Sequence, residues 1–182
     1  MSSTQIFLQI EFERGGLIKG GSKADGFEDY IEIESFRWGM KVSGDISNVR
    51  KGRPLFEQLK LSKSFDTASI GLLNCMRTRD RIKGARLTVT HGALAAGTTM
   101  ADRTVMTVEF SSGFLTNIDL DVNESGKEVS IDEDLEFSFT ELDVKYFPPT
   151  TVAGGKRAAP MTFDLVLDTA EAEYSGMAGL FD

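Results

Sequence analysis

The sequence predicts a mainly β fold, an antiparallel β-barrel with one α-helix packed on its side. Three observations carry that expectation. Residues alternate with period two along most of the chain, as where Thr116, Ile118, Leu120 and Val122 face away from Asn117, Asp119 and Asp121. Such alternation marks half-buried antiparallel strands. Only one segment, beginning near Asp66, carries apolar residues at helical spacing. The chain has 182 residues, enough for one core and short for two, and closely spaced strands in a domain of that size favour a barrel or sandwich.

The first strand holds Ile6, Leu8 and Ile10 on one face and Phe7, Gln9 and Glu11 on the other. Arg14 to Gly26 reads as a loop rich in Gly and Lys, with an apolar patch at Leu17-Ile18. Tyr30 to Trp38 reads as one strand, Ile31, Ile33 and Ser35 opposite Glu32, Glu34, Phe36 and Trp38. Val42 to Pro54 is a long polar loop, and loops beyond about 12 residues in compact domains are usually functional or disordered.

Asp66 or Thr67 can cap the helix, since a short side-chain oxygen accepts from the free N–H groups of its first turn. Ile70, Leu73 and Met76, with Leu72 beside them, form the stripe expected to pack on the barrel. Arg77, Arg79, Arg81 and Lys83 follow, where the negative end of the helix dipole favours cations. After it, Leu87 and Val89 alternate with Thr88 and Thr90, and Met106, Val108 and Phe110 share a face. Leu135, Phe137 and Phe139 are odd-numbered, whereas Leu142, Val144 and Tyr146 are even. One extra residue near Thr140-Glu141, a β-bulge, restores the inward face and bends the sheet toward closure. Thr150 to Pro160 reads as a flexible connection to the last apolar segment.

Composition excludes several function classes. No apolar run approaches the roughly 18 residues of a membrane helix. Met1-Ser2-Ser3-Thr4 lacks a basic leader region and Gln9 and Glu11 interrupt the apolar run behind it, so folding in the cytoplasm without a cleaved signal peptide is expected. Cys75 is the sole cysteine and His91 the sole histidine, which forbids an intrachain disulfide and a His-rich zinc site. Cys75 reads as a small buried apolar residue, with no context that brings it to His91. Asp132-Glu133-Asp134 with Glu136 lacks calcium-loop spacing and reads as a solvated turn before a strand. The chain has neither a Gly-x-Ser-x-Gly elbow nor a phosphate loop, so no catalytic residue, metal or cofactor is expected.

Net charge is −8, which argues against nucleic acid as the main partner. Residues 1–91 hold 15 Lys and Arg against 11 Asp and Glu, a net of +4, and residues 92–182 hold 5 against 17, a net of −12. Opposite signs on separate surfaces suit head-to-tail association of copies.

Several segments, in order, resemble one family. The run Tyr30-Ile31-Glu32-Ile33-Glu34-Ser35-Phe36-Arg37-Trp38-Gly39, closing on Ser-Phe-x-Trp-Gly, is similar to the second strand of the haemolysin-coregulated protein (Hcp) family, the inner-tube subunit of bacterial type VI secretion systems. Ile6 to Ile10 resembles the family's opening strand, and Leu59 to Ser69 its strand-to-helix passage, with Thr67 for the usual Lys and Ile70 for the usual Pro. Ile82 to Leu87, Leu135 to Tyr146 and Pro160 to Leu165 resemble later strands, the last with Thr162 for Gly and Phe163 for Trp.

The resemblance implies a phage tail-tube-like barrel over residues 1–167 and a C-terminal extension, 168–182, beyond the usual family end. It also implies a hexameric ring whose strands join into a continuous inner wall. Stacked rings would form an exported tube that carries effectors and meets a spike protein and a contractile sheath. On this reading Arg37 points into the lumen, and Asp45, Arg50, Lys51 and Arg53 of the long loop contact the next ring. The alternatives are a phage-like tail-tube subunit and a monomeric ligand-binding barrel.

Overall fold

The computed structural model describes residues 4–42, 54–91, 103–125, 128–148 and 159–167. In chain order the strands are β1 (Thr4–Phe12), β2 (Gly16–Ile18), β3 (Ile31–Ile33), β4 (Ser35–Arg37), β5 (Met40–Val42), β6 (Pro54–Phe56) and β7 (Leu59–Ser64). The helix α1 (Thr67–Arg77) comes next, then β8 (Ile82–His91), β9 (Thr104–Ser111), β10 (Leu115–Ser125), β11 (Glu128–Phe137), β12 (Glu141–Tyr146) and β13 (Met161–Val166). A seven-stranded sheet runs β13-β12-β9-β8-β1-β2, with β3 also paired to β1. A four-stranded sheet runs β10-β11-β7-β4, and β5 pairs β6 alone. The mainly β character with one helix is as the alternation predicts. Among the described residues, however, no sheet closes on itself.

The two larger sheets share one core because the chain turns from one into the other at three corners. Glu34 separates β3, on the large sheet, from β4, on the small one, and its N–H donates to the Ser62 carbonyl at 2.8 Å. Residues 112–114 carry β9 into β10, and residues 138–140 carry β11 into β12. Inward parity switches at each corner: Ile31 and Ile33, then Phe36; Phe110, then Leu115; Phe137 and Phe139, then Leu142. The phase change near Thr140 is therefore a change of sheet rather than a bulge within one strand, and Ser35, expected beside Ile31 and Ile33, is exposed. Gly113 makes the tightest of these corners. Phe114 and Ser138 exchange backbone hydrogen bonds there, and a Cβ at Gly113 would overlap the Ser138 carbonyl.

Leu8, Ile10, Phe12, Leu59, Leu61, Leu87, Leu135, Phe137 and Phe139 fill the space between the sheets, each almost wholly buried. Burying one such side chain is worth roughly 1.5–3 kcal/mol.

The helix lies against β2 and β10, an edge strand of each sheet. Asp66 caps it as expected, accepting from the Ala68 N–H at 3.1 Å, while Ser69 Oγ accepts from the Asp66 N–H at 3.0 Å. Its buried face is Ala68, Ser69, Leu72 and Cys75, spaced for one side of a helix. The expected stripe is displaced by about one residue, and Ile70 is 57% exposed. Arg79 ends the helix at φ 49, so that the Asp80 N–H reaches the Cys75 carbonyl and the Arg79 N–H that of Met76.

Three loop readings change or pass out of view. Leu17-Ile18 belongs to β2, paired with β1, so part of the first expected loop is a strand. Asp132-Glu133-Asp134 lies within β11 rather than in a turn. The Val42–Pro54 segment leaves on a two-stranded neck in which Met40 pairs Phe56, Lys41 pairs Leu55 and Val42 pairs Pro54. Asp45, Arg50, Lys51 and Arg53 lie outside the described residues, as do residues 149–158 and 168–182.

Candidate assembly interface

One buried polar cluster holds the small sheet to the helix. Lys63 on β7 and Glu133 on β11 are both fully buried and meet at 2.7 Å. The Lys63 ammonium also donates to Ser69 Oγ at 2.9 Å and to the Ser64 carbonyl at 2.8 Å, and it forms an ion pair with Asp66 Oδ1 at 2.8 Å. The helix cap, β7 and β11 are thereby joined through one nitrogen. Sequence reading missed this cluster by treating Glu133 as solvated. Its parity with Leu135 and Phe137 was the available signal, because a strand's inward face repeats every second residue.

The outward face of the small sheet is polar throughout and carries two kinds of like-charge opposition. Asp119 stands opposite Asp134, and Asp121 opposite Asp132, across β10 and β11. Arg37 stands opposite Lys60 across β4 and β7. Like charges directly opposed across strands destabilise the pair. Lys60 is answered by Glu136 at 2.7 Å, Asp132 accepts from Asn123 at 2.7 Å, and Asp119 accepts from Asn117 at 2.6 Å. Arg37 is exposed and makes no ion pair among the described residues. It projects from the same face as Asp119, Asp121, Asp132 and Asp134, at the opposite edge of the sheet.

The outer face of the large sheet is closer to balance. Glu11 meets Lys83 at 2.8 Å and Glu109 meets Arg86 at 2.8 Å. Glu109, Asp143 and Asp164 then stand in one row across β9, β12 and β13. A hydrogen bond between Asp143 and Asp164 resolves the end of that row. It holds Asp143 below the usual carboxylate range, helped by Lys145 at 3.1 Å, and holds Asp164 above it, helped by partial burial. The row lines an open depression that spans β1 to β13.

Cys75 and His91 are not neighbours. Cys75 lies beside Gly15 and Asp80, at the end of β8 where Ile82 pairs Phe12, whereas His91 pairs Thr4 at the other end. Ten residues of strand, about 30 Å, separate those ends. Burial pushes the Cys75 thiol up, and the Asp80 carboxylate adds to that, which suits a packed residue rather than a nucleophile. Among the described residues no group of three or more His, Cys, Asp and Glu is placed to hold a metal ion.

A family model described as "Type VI secretion system effector, Hcp" matches residues 7–146. The chain belongs to the Hcp family. Its fold is similar to that of a structure titled "Structure of a type six secretion system protein", with a TM-score of 0.72 at 16% identity over 91% of this chain and 96% of that one. It is similar to Hcp1 from Salmonella typhimurium, with a TM-score of 0.63 at 21% identity over 90% and 95% of the two chains. Hcp1 from the E. coli EAEC 042 pathovar gives a TM-score of 0.69 at 14% identity over 88% and 98%. No curated protein matches the sequence.

Membership makes this Hcp protein a subunit of the type VI secretion tube, a structural role in a secretion route. No helix among the described residues is long and apolar enough to cross a membrane. Among the described residues the strands of the two chain halves stay grouped within each sheet rather than interleaving. In the large sheet β13, β12 and β9 lie together on one side and β8, β1 and β2 on the other, and in the small sheet β10 and β11 adjoin β7 and β4.

Proposed function

We propose that six copies of this chain close into a ring with an open lumen, that rings stack into a tube, and that effectors travel inside it. The observation that carries the reading is the small sheet, polar on its outward face and ending in two edge strands, β10 and β4, with no further strand beyond them among the described residues. An unpaired edge invites another strand, and apposition of one edge with the other edge of the next copy is the heterologous contact that closes rings. The two facing sheets and the helix across β2 and β10 act together as the barrel, and the small sheet's outward face is the lumen wall. Arg37 then points into the lumen, where its guanidinium meets cargo.

Asp45, Arg50, Lys51 and Arg53 are proposed to contact the next ring, an assignment supported by the β5–β6 neck from which their segment departs. The tube assembles in the cytoplasm, meets the spike and the contractile sheath, and leaves with its effectors. Residues 1–167 form the barrel domain, and residues 168–182 are an extension to it.

Light scattering followed by negative-stain imaging of the same peak tests the assembly. Six-fold rings with an open centre are expected, and a 20.0 kDa monomer at high concentration would overturn it. For the lumen assignment, Arg37→Glu should weaken effector capture, and unchanged capture would remove Arg37 from cargo contact.

A further inference from the structure

We propose that residues 168–182 fold back on their own copy and lie across a basic patch at the end of α1, formed by Arg77, Arg79 and Arg81 with the exposed ring of Phe114 beside them.

The patch is charge without an answer. Arg77 ends α1, Arg79 makes the left-handed turn after it, and Arg81 stands just before β8; all three are exposed. Asp80 lies among them but is buried and already held by the Arg14 guanidinium and by the N–H groups of Arg14 and Gly15. Glu13 donates its N–H to the Arg81 carbonyl, yet its carboxylate pairs with none of the three. Among the described residues Arg77, Arg79 and Arg81 make no ion pair. The helix dipole favours a cation in the last turn, which accounts for Arg77, but its effect fades beyond that turn.

An apolar surface adjoins the charge. Arg81 and Phe114 form an isolated antiparallel bridge, so their side chains leave from the same side. Phe114 is 42% exposed there.

The chain leaves the domain close by. Leu167 is buried, and its N–H donates to the Thr140 carbonyl at 2.7 Å. The Thr140 N–H donates to the Ser111 carbonyl at 3.2 Å, and the Ser112 N–H to the Ile82 carbonyl at 3.1 Å. Three strand spacings, about 15 Å, therefore separate Leu167 from the residue that follows Arg81. About five extended residues cover that distance.

The sequence of the segment fits what it would meet. Residues 168–182 hold Asp168, Glu171, Glu173 and Asp182 and no Lys, Arg or His, a net of −4. Tyr174 and Met177 follow the acidic stretch and supply apolar surface for Phe114. Charge also sets the direction of travel. Glu141 and the Asp143–Asp164 pair lie on β12 and β13 behind the exit, where they repel an acidic chain, and the three guanidiniums lie ahead of it.

The test uses the full chain, dilute, so that it stands apart from ring closure. A dye is attached to Ser175→Cys; Cys75 is buried and does not react. At low salt the dye's anisotropy should be that of a segment tumbling with the domain. At about 1 M salt, where the screening length is about 3 Å, it should fall to that of a free segment. Arg77→Gln with Arg79→Gln and Arg81→Gln should give the low value without added salt. So should Asp168→Asn with Glu171→Gln and Glu173→Gln, which leave every residue of the folded domain in place. Phenylglyoxal should modify Arg77, Arg79 and Arg81 more slowly in the parent than in that second variant, while Arg37 reacts alike in both.

A dye that is mobile in the parent at low salt, or held equally in both variants, overturns the contact. Anisotropy that rises only with protein concentration would place another copy's segment on the patch and overturn docking on the same copy.

Discussion

The two large sheets share one core but end differently on the outside. On the seven-stranded sheet, Arg86, Lys83 and Lys145 each sit against a carboxylate, and the leftover Asp143–Asp164 opposition is settled by a shared hydrogen bond. On the four-stranded sheet, two Asp–Asp oppositions and one Arg–Lys opposition stand on a face with no apolar residue. Inside, the contrast reverses. The small sheet holds a fully buried polar cluster around Lys63 and Glu133. One sheet is a finished surface; the other is anchored from behind and, in the proposed ring, is completed by another copy.

The largest effect should come from that anchor. Lys63→Ala strands the buried Glu133 carboxylate and should cost about 3–5 kcal/mol in denaturant unfolding, and Glu133→Ala should cost less because Asp66 still pairs Lys63. Replacing both, as Lys63→Met with Glu133→Leu, should cost less than either single change. If the singles cost no more than a surface substitution, the small sheet is not anchored as described.

Asp80 gives the next effect and belongs to the large sheet. Burial pushes its carboxyl up, but the N–H groups of Gly15 and Arg14 and the Arg14 guanidinium outweigh that and hold it below the usual range. Asp80→Ala leaves two backbone donors unanswered and should cost about 1–3 kcal/mol. Because the folded value is depressed, this stability is present above the unfolded value of about 3.9 and is lost as pH falls through the folded one. A chemical-denaturation series at falling pH should therefore show the variant and the parent converging.

Asp164 should show the opposite sign with a smaller amplitude. Its folded value is raised, so its contribution is present at acid pH and fades as pH rises through that raised value. Asp164→Asn should flatten that part of the Tm–pH profile on its alkaline side. A steeper profile would mean that Asp143 and Asp164 do not share a proton. Smallest of all, Asp121→Ser on the small sheet should move monomer stability by no more than about 0.5 kcal/mol.

Much of this was legible in the chain. The strands announced themselves by alternation, and the Asp66 cap by a short acidic side chain ahead of an apolar run. The corner at 138–140 was misread because a bulge and a change of sheet both shift inward parity by one. The helix stripe slipped because Ala68, Ser69 and Cys75 are small, and periodicity weighted toward large apolar residues overlooks them. Lys63 and Glu133 were hidden by a sequence separation of 70 positions. Arg37 lies exposed on β4. That it faces Lys60, at the edge opposite Asp119, depends on register, which no local pattern encodes.

The most direct test of the account is amide hydrogen exchange on the unsubstituted protein, dilute and assembled. The amides of β10 that point away from β11, together with those on the free side of β4, should exchange fast in the dilute sample and slowly in rings, while β8, paired on both sides, stays slow in both. Rings that form while β10 and β4 keep exchanging fast would contradict the claim that the small sheet is completed by its neighbour.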